Sequence, residues 1–224
     1  MKNPDCPLCG QKATEGFFSG PRRDYYRCRK CRLIFIPPEQ LPSGDEEKAR
    51  YDLHQNSPGD PEYRQFLSRL FVPLQARLAP GSRGLDFGSG PGPTLSAMFE
   101  EAGHTVVLYD HFYERNPSAL EGQYDFITAT EVLEHLHHPG RELAGLWSCL
   151  KPGGSLGVMT GLAPEGEKFA RWHYIGDPTH VCFFGRETFE WLAARWQAEC
   201  AFVGEGTVIL TKNHRFRETR QPSR

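Results

Sequence analysis

The residues Gly84–Gly92, which read GLDFGSGPG, constrain the fold of this chain more than any other stretch. An apolar run leads into Asp86, and three alternating glycines then precede a helix predicted to begin near Thr94. Glycine allows a tight turn to adopt dihedrals that other residues rarely take, and it allows a ligand to lie against the backbone. The next helix would direct its free N–H groups at that ligand. The stretch predicts a buried strand, a ligand-binding turn and a helix, with G-x-G-x-G spacing that differs from the dinucleotide G-x-G-x-x-G.

Three later segments follow this turn in order: YDHF (Tyr109–Phe112), YDFITATEVLEHL (Tyr124–Leu136) and LKPGG (Leu150–Gly154). With the glycine turn, they resemble the motifs of class I S-adenosylmethionine (SAM) dependent methyltransferases over about residues 84–212. The resemblance implies an α/β fold, with a Rossmann-like, mostly parallel sheet that ends in an antiparallel hairpin. It also implies methyl transfer from SAM, and predicts these cofactor-binding residues: Asp86, Gly88, Ser89, Gly90, Gly92, Asp110, His111, Thr130 and Glu131.

Two of these residues have roles that the resemblance specifies further. Asp110 would hold the ribose hydroxyls, because one carboxylate can accept hydrogen bonds from two vicinal hydroxyls. Asp86 would meet the amino group of the ligand through water or orient the turn. The sequence departs from the family between His111 and Gln123, where about a dozen residues leave little room for the usual helix and third strand. We therefore expect that strand to be reduced or absent, and no residue is assigned to adenine.

The composition is that of an ordinary globular protein, with 224 residues of which 38% are hydrophobic and 24% charged. No apolar run reaches the roughly 18 residues that a membrane helix needs, and the N-terminus has no apolar signal region, so a cytoplasmic location is expected. We divide the chain into residues 1–36, a small β ribbon; 37–61, a linker or lid; 62–212, the methyltransferase domain; and 213–224, a basic tail predicted to be disordered. The oligomeric state is not predicted.

The ribbon is defined by two cysteine pairs, Cys6-x-x-Cys9 and Cys28-x-x-Cys31. Four thiolates at this spacing favour a structural zinc ion, which would stabilise a segment too short to bury much apolar surface. A redox dithiol or another metal is the alternative. The remaining cysteines, which lack such spacing, are expected to be buried apolar residues: Cys149, Cys182 and Cys200.

The ribbon is also basic, because residues 1–36 carry eight Lys or Arg against three Asp or Glu. Basic residues around Tyr25 and Tyr26 could contact RNA phosphates and bases. The alternative is a solvated surface or packing against the enzyme domain. In the linker, Tyr51, His54 and Asn56 suggest a lid over the SAM pocket. The periodic apolar residues that follow predict a helix over residues 62–79, which Pro73 should kink or shorten.

The strand predicted at Tyr124–Thr128 is followed by Glu131, Glu134 and His135. Their spacing lets the three side chains converge on one side of a helical turn. The segment resembles that of ubiquinone-pathway O-methyltransferases and small-RNA 2′-O-methyltransferases, which implies a divalent cation that positions a hydroxyl. In the alternative without metal, the Glu caps the turn and the His serves the pocket. His137 and His138 are expected to be exposed.

The segment Ala170–Phe184 is dense in aromatic and polar residues, and it follows the predicted fifth strand where substrates usually bind. A hydroxyl acceptor needs a base, for which His135, His173 and His180 are the candidates; an amine or activated carbon needs only positioning. Three functions remain open: a small-molecule methyltransferase, an RNA methyltransferase that uses the basic ribbon, and a non-catalytic SAM sensor.

Overall fold

A computed structural model describes residues 3–53 and 57–214, and its N-terminal part is a small antiparallel sheet. Its strands are β1 (Thr14–Ser19), β2 (Asp24–Cys28) and β3 (Ile34–Phe35). β2 lies in the middle, paired to β1 and to β3. One cysteine pair precedes β1, and the other occupies the turn between β2 and β3, so the two pairs lie at the same end of the sheet.

Two helices connect this sheet to the rest of the chain, α1 (Gly44–Tyr51) and α2 (Pro61–Gln75). A capping box formed by Ser43 and Glu46 begins α1, so the predicted linker contains a helix. α2 begins at Asp60, which accepts hydrogen bonds from two backbone amides, and it packs through its periodic apolar face. α2 continues through Pro73 and ends at Gln75, four residues before the predicted end at residue 79. Within the described residues, no helix is long and apolar enough to cross a membrane.

The remaining elements alternate between strands and helices. They are β4 (Arg83–Phe87), α3 (Thr94–Glu101), β5 (Thr105–Tyr109), β6 (Tyr124–Thr130), α4 (Pro139–Cys149), β7 (Leu150–Met159), β8 (Cys182–Phe183), α5 (Arg186–Trp196), β9 (Glu199–Gly204) and β10 (Thr207–Thr211).

Six of these strands form one sheet in the order β5-β4-β6-β7-β10-β9. The first four are parallel, and β10 runs antiparallel to both of its neighbours. The connection between β5 and β6 contains no strand of this sheet, only a short 3-10 helix at Pro117–Glu121. The Rossmann-like sheet, its C-terminal hairpin and the missing third strand are therefore as the sequence predicted.

The short strand β8 belongs to the other sheet, because Ile34 pairs with Phe183 and Phe35 with Cys182. Buried side chains of the ribbon and of the six-stranded sheet also form one continuous apolar cluster. The 1–36 segment consequently shares its core with the methyltransferase domain. The shared core places the ribbon directly beside the loop that precedes β8.

Candidate functional site

A cavity of about 770 Å³ opens at the carboxyl ends of β4, β5 and β6. The glycine turn after β4 lines it, together with residues from the segments after β6 and before β8. Of the predicted cofactor residues, all nine line it: Asp86, Gly88, Ser89, Gly90, Gly92, Asp110, His111, Thr130 and Glu131. The fold thus brings the separate motifs to one site, as expected for a parallel sheet.

The glycine turn needs glycine for two different reasons. Gly88 and Gly90 have φ angles of 78° and 64°, which other residues rarely adopt. A Cβ at Gly88 would lie 2.3 Å from Val132 Cγ2, whereas one at Gly90 would meet no protein atom within 4 Å. The Ser89 hydroxyl is buried and has no hydrogen-bond partner among the described residues. Open backbone beside an unsatisfied hydroxyl fits a bound cofactor such as SAM.

Asp110 fixes the shape of the turn from the neighbouring strand. Its Oδ2 accepts a hydrogen bond from the Gly90 amide at 2.9 Å, and its Oδ1 accepts from the amides of Phe112 and Tyr113 at 2.8 and 3.0 Å. A carboxylate oxygen has more than one acceptor site, so Asp110 can also meet ribose hydroxyls. The same residue therefore orders the turn and remains a candidate for cofactor binding.

The Asp86 carboxylate is hydrogen-bonded to side chains of two neighbouring elements. Its Oδ1 accepts from Thr128 Oγ1 at 2.7 Å and its Oδ2 from Ser96 Oγ at 2.8 Å. Its side chain is almost fully buried, and this burial raises the pKa of the carboxyl group. Of the two roles predicted for Asp86, these contacts favour orienting the turn, since they tie the end of β4 to α3 and β6.

The backbone after β6 is forced into an unusual conformation. Glu131 has a φ of 53°, and its amide donates a hydrogen bond to Met159 O at 2.8 Å. Strain of this kind in a non-glycine residue is typical of functional sites. The Glu131 side chain faces the cavity, where burial and the neighbouring Glu134 carboxylate raise its pKa.

Glu134 has no solvent exposure and is not among the residues that line the cavity. Thr160 Oγ1 donates to its Oε2 at 2.9 Å, and Tyr174 donates its phenol hydrogen to Oε1. Burial raises the pKa of Glu134 despite these hydrogen bonds. Sequence reasoning did not select Thr160 or Tyr174, because only the fold brings β7 and the following loop against the EVLEH turn.

His135 and His180 come together above Glu134, with ring centroids 4.8 Å apart. The Nδ1 atom of His135 lies 3.0 Å from Thr179 O, and that of His180 lies 2.8 Å from Tyr174 O. A carbonyl only accepts, so each Nδ1 carries a hydrogen, and when the ring is neutral the lone pair lies on Nε2. Burial and the neighbouring His135 lower the pKa of His180 to about 4, which leaves it uncharged at neutral pH.

The candidate divalent-cation site in the structure consists of a different set of residues from the predicted one. The ligand atoms that lie within 4.8 Å of one another belong to Glu134, His135 and His180; Glu131, predicted as a member, is not in this group. Imidazole pairs with a carboxylate suit zinc, manganese and iron. Each ring is also oriented through Nδ1 by a carbonyl, the outer contact that metal-bound histidines usually have.

Two other histidines differ from their predicted positions. His173 is exposed on a 3-10 helix and does not line the cavity. His137 was expected to be exposed, but it lines the cavity and its Nε2 lies 3.0 Å from Glu47 Oε1. His137 is half-buried because α1 lies across it, a contact that no local pattern predicts.

The segment predicted as a lid does lie against the cavity. The Tyr51 ring, at the end of α1, makes edge contacts with His135 and Phe112, with ring centroids 5.1 and 5.6 Å apart. The other two predicted lid residues, His54 and Asn56, lie outside the described residues. So does the part of the predicted basic tail beyond residue 214.

The four ribbon cysteines form a compact cluster. The Sγ atoms of Cys6 and Cys31 are 3.5 Å apart, as are those of Cys9 and Cys28, and all four lie within 4.8 Å of one another. These distances are too long for disulfides, whereas Zn–S bonds of about 2.3 Å would separate tetrahedral sulfurs by just under 4 Å. The cluster could bind zinc. Of the other cysteines, Cys149 and Cys182 are buried as expected, and Cys200 is half-buried.

Three basic residues of the ribbon form ion pairs within the chain. Arg27 and Arg29 both pair with Glu15, at 2.7 and 2.9 Å. Arg32 pairs with Glu187 of α5 at 3.0 Å. These contacts hold the ribbon together and attach it to the methyltransferase domain.

Comparison with known proteins identifies the class. Residues 55–201 match the family described as "Methyltransferase domain", and the chain belongs to this family of SAM-dependent methyltransferases. Ubiquinone biosynthesis O-methyltransferases from Shewanella pealeana and Pectobacterium atrosepticum are each 30% identical, over 79 and 91 residues. These matches span 35% and 41% of this chain but only 34% and 38% of those relatives.

A solved structure shows the same fold at low identity. It is the 1,6-didemethyltoxoflavin-N1-methyltransferase of Burkholderia thailandensis, with bound 1,6-didemethyltoxoflavin and S-adenosylhomocysteine. It is 17% identical and covers 89% of this chain and 99% of its own, with a TM-score of 0.50. A methyltransferase from Methanosarcina mazei, 16% identical, covers 63% of this chain and 97% of its own, with a TM-score of 0.49.

Proposed function

We propose that this enzyme methylates a hydroxyl group of a small-molecule acceptor that binds between the glycine turn and His180. The observation that carries the proposal is the single cavity that joins the cofactor residues to His135 and His180. A reactive methyl group and a proton-accepting side chain can therefore lie on the two sides of one acceptor atom.

In this proposal the protein mainly binds and orients. SAM, when held by the turn around Gly90 and by Asp110, would supply a methyl group from its sulfonium, and the methyl–sulfur bond would break to release S-adenosylhomocysteine. The acceptor oxygen forms the new carbon–oxygen bond and loses a proton. His180 is placed to take that proton, because its Nδ1 is held by Tyr174 O and its Nε2 can accept.

The cluster that contains these two histidines could also bind a divalent cation. The residues that would hold it are Glu134, His135 and His180, a donor set that fits zinc, manganese or iron. Such an ion would lower the pKa of an acceptor hydroxyl. The two histidines would then hold the ion instead of accepting the proton. The ion itself would favour the ionised form of the hydroxyl, so no histidine would be needed as the base.

Two observations favour a small acceptor over RNA. Arg27, Arg29 and Arg32 are occupied by carboxylates of the same chain, so they are not arranged as an open phosphate track. α1 also lines the cavity through Tyr51, and the volume of about 770 Å³ is in the range that small-molecule sites have. The names of the curated relatives agree with oxygen as the acceptor atom. We further propose structural zinc at the four ribbon cysteines.

The test is transfer of a labelled methyl group from SAM into a cell extract separated into small-molecule, RNA and protein fractions. Label in the small-molecule fraction, stable to mild acid as an ether is, supports the proposal. Label in RNA would replace it with the RNA function, and label on nitrogen or carbon would refute the hydroxyl acceptor. The His180→Asn protein serves as the control for labelling that does not depend on the site.

A further inference from the structure

One ribbon side chain reaches directly into the loop that carries the acceptor-side residues. Arg23, immediately before β2, donates from Nη1 to Pro178 O at 3.0 Å and to His180 O at 2.8 Å. From Nη2 it donates to Ile175 O at 2.8 Å and to Asp177 O at 2.9 Å. All four acceptors are backbone carbonyls of one short loop, so the guanidinium acts as its internal support.

This loop has little regular structure of its own to fix its shape. It begins with the 3-10 helix at His173–Gly176 and continues without a repeating hydrogen-bond pattern up to β8. A planar guanidinium can satisfy several carbonyls at fixed angles, whereas the single nitrogen of a lysine cannot match that geometry. Because His180 Nδ1 lies 2.8 Å from Tyr174 O, the shape of the loop decides where the His180 ring points.

The rest of the ribbon holds Arg23 in place. The Tyr25 ring, two residues further on, is buried against Phe169 and Phe183, with centroids 5.2 and 5.7 Å apart. β3 pairs with β8, and the amide of Ile36 donates to Val181 O at 3.1 Å. The Val181 amide in turn donates to Glu134 O at 2.7 Å. A continuous set of contacts thus leads from the cysteine ribbon to both Glu134 and His180.

We propose that the cysteine ribbon forms part of the acceptor side of the site, and that Arg23 is a positioning residue for the loop that carries Tyr174 and His180. The consequence for methyl transfer rests on the proposed function, but the control of the loop by Arg23 does not. The side-chain hydrogen bonds of Arg23 all end on carbonyls of the loop, and its guanidinium also lies over the Tyr25 ring of the ribbon, 5.7 Å from the ring centroid. Its effect on chemistry is therefore exerted through the loop and His180. The cofactor half of the cavity lies outside this set of contacts.

The experiment compares Arg23→Ala and Arg23→Lys with Arg29→Ala, which removes an equal charge from the same ribbon but contacts only Glu15. Hydrogen exchange of full-length protein, with S-adenosylhomocysteine as the probe ligand, is followed for peptides covering residues 172–181 and 84–95. We expect Arg23→Ala to raise the rate of amide hydrogen exchange in the loop by about tenfold or more. A change of this size corresponds to losing a modest part of the stabilisation that the four charge-assisted hydrogen bonds of Arg23 provide. Zinc content, ligand affinity and exchange in the glycine turn should stay as in the wild type.

Chemical rescue by an added guanidinium compound distinguishes positioning of the loop by Arg23 from general support of the ribbon. Added ethylguanidinium should restore slow loop exchange in Arg23→Ala, whereas Arg23→Lys, despite its charge, should remain fast. Equal loop exchange in Arg23→Ala and Arg29→Ala would refute the proposal, as would faster exchange across the whole ribbon with loss of zinc. In the extract fraction labelled by the wild type, Arg23→Ala should lower kcat and leave KM for SAM unchanged. Fast loop exchange with unchanged kcat would refute the acceptor-side role while retaining the structural one.

Discussion

His135 and His180 lie with their ring centroids 4.8 Å apart, and each directs its Nδ1 at a backbone carbonyl. The two carbonyls belong to Thr179 and Tyr174, so one loop orients both rings. This arrangement gives both side chains the same tautomer and places both lone pairs on Nε2. The pair is consequently suited to one shared task at the acceptor atom, either accepting a proton or holding a cation.

Replacing His180 with asparagine should lower kcat by about 10²- to 10⁴-fold, the usual contribution of a positioned base. The affinity for SAM, measured by calorimetry, should be unchanged, because His180 is not one of the residues predicted to bind the cofactor. His173→Asn is the matched control, since that histidine is exposed on the same loop. Equal loss of activity in both variants would show that the loop, not the imidazole, is required.

The cation site can be tested separately from activity. We expect the zinc-loaded protein to bind one Mn²⁺ per chain, measured by electron paramagnetic resonance, and Glu134→Gln to abolish this binding. The amide keeps the size of the side chain but removes the charge that attracts the ion. Glu142→Gln, which changes another carboxylate lining the cavity, should bind Mn²⁺ normally. If the wild type binds no Mn²⁺ and tolerates a mild chelator, His135 and His180 act without a metal.

Gly90→Ala should abolish SAM binding, because the new methyl group would occupy the space where the cofactor meets the turn. Gly103→Ala is a close control, since Gly103 also has a positive φ, of 85°, and also has open space around it. Each substitution should cost about 1–2 kcal/mol of folding free energy from the left-handed backbone. Thermal unfolding should therefore change similarly in both, while calorimetry shows lost binding only for Gly90→Ala. Retained affinity in that variant would move the cofactor away from this turn.

Cys28→Ser should release zinc and unfold the ribbon. Cys28 is fully buried at the end of β2, and structural zinc sites contribute about 10–16 kcal/mol of apparent binding free energy in small peptides. Metal analysis should fall from one zinc per chain to well below one, and the melting temperature should drop. Cys200→Ser, which changes a cysteine outside the cluster, should leave the zinc content and the melting temperature unchanged. Full zinc occupancy in Cys28→Ser would contradict the four-cysteine assignment.

Much of this architecture could be predicted because it depends on local spacing. The glycine turn, Asp110 and the cysteine pairs each carry a short pattern whose physical requirement is contained in a few neighbouring residues. The missing third strand could be predicted from length alone, because residues 111–123 are too few for a helix and a strand. The capping box at Ser43 and Glu46 is an equally local signal, and it could have revealed α1.

The parts that could not be predicted depend on contacts between distant segments. β8 has two residues and therefore no periodicity, so its pairing with β3 has no sequence signal. Arg23 looks like any other basic residue of the ribbon until the fold brings the Tyr174–His180 loop against it. His180 joins Glu134 and His135 for the same reason. The replacement of Glu131 by His180 in the candidate metal group is a consequence of tertiary packing.

The contact between His137 and Glu47 should make the docking of α1 depend on pH. The hydrogen bond from His137 to Glu47 raises the pKa of the imidazole, with a further contribution from Glu142. A raised pKa in the folded state adds stability that is fully present below the unfolded value of about 6.5 and is lost as pH rises through the folded value. α1 should therefore be held most firmly on the acid side of neutrality.

Glu47→Gln should remove this pH-dependent part of the stability. The difference in melting temperature between wild type and Glu47→Gln should be largest below about pH 6.5 and should shrink as the pH rises. Asp45→Asn removes a charge from the same helix at an exposed position and should give a difference that does not vary in this way. An NMR titration of His137 in wild type and Glu47→Gln measures the cause directly, and an unchanged midpoint would show that Glu47 does not govern the imidazole.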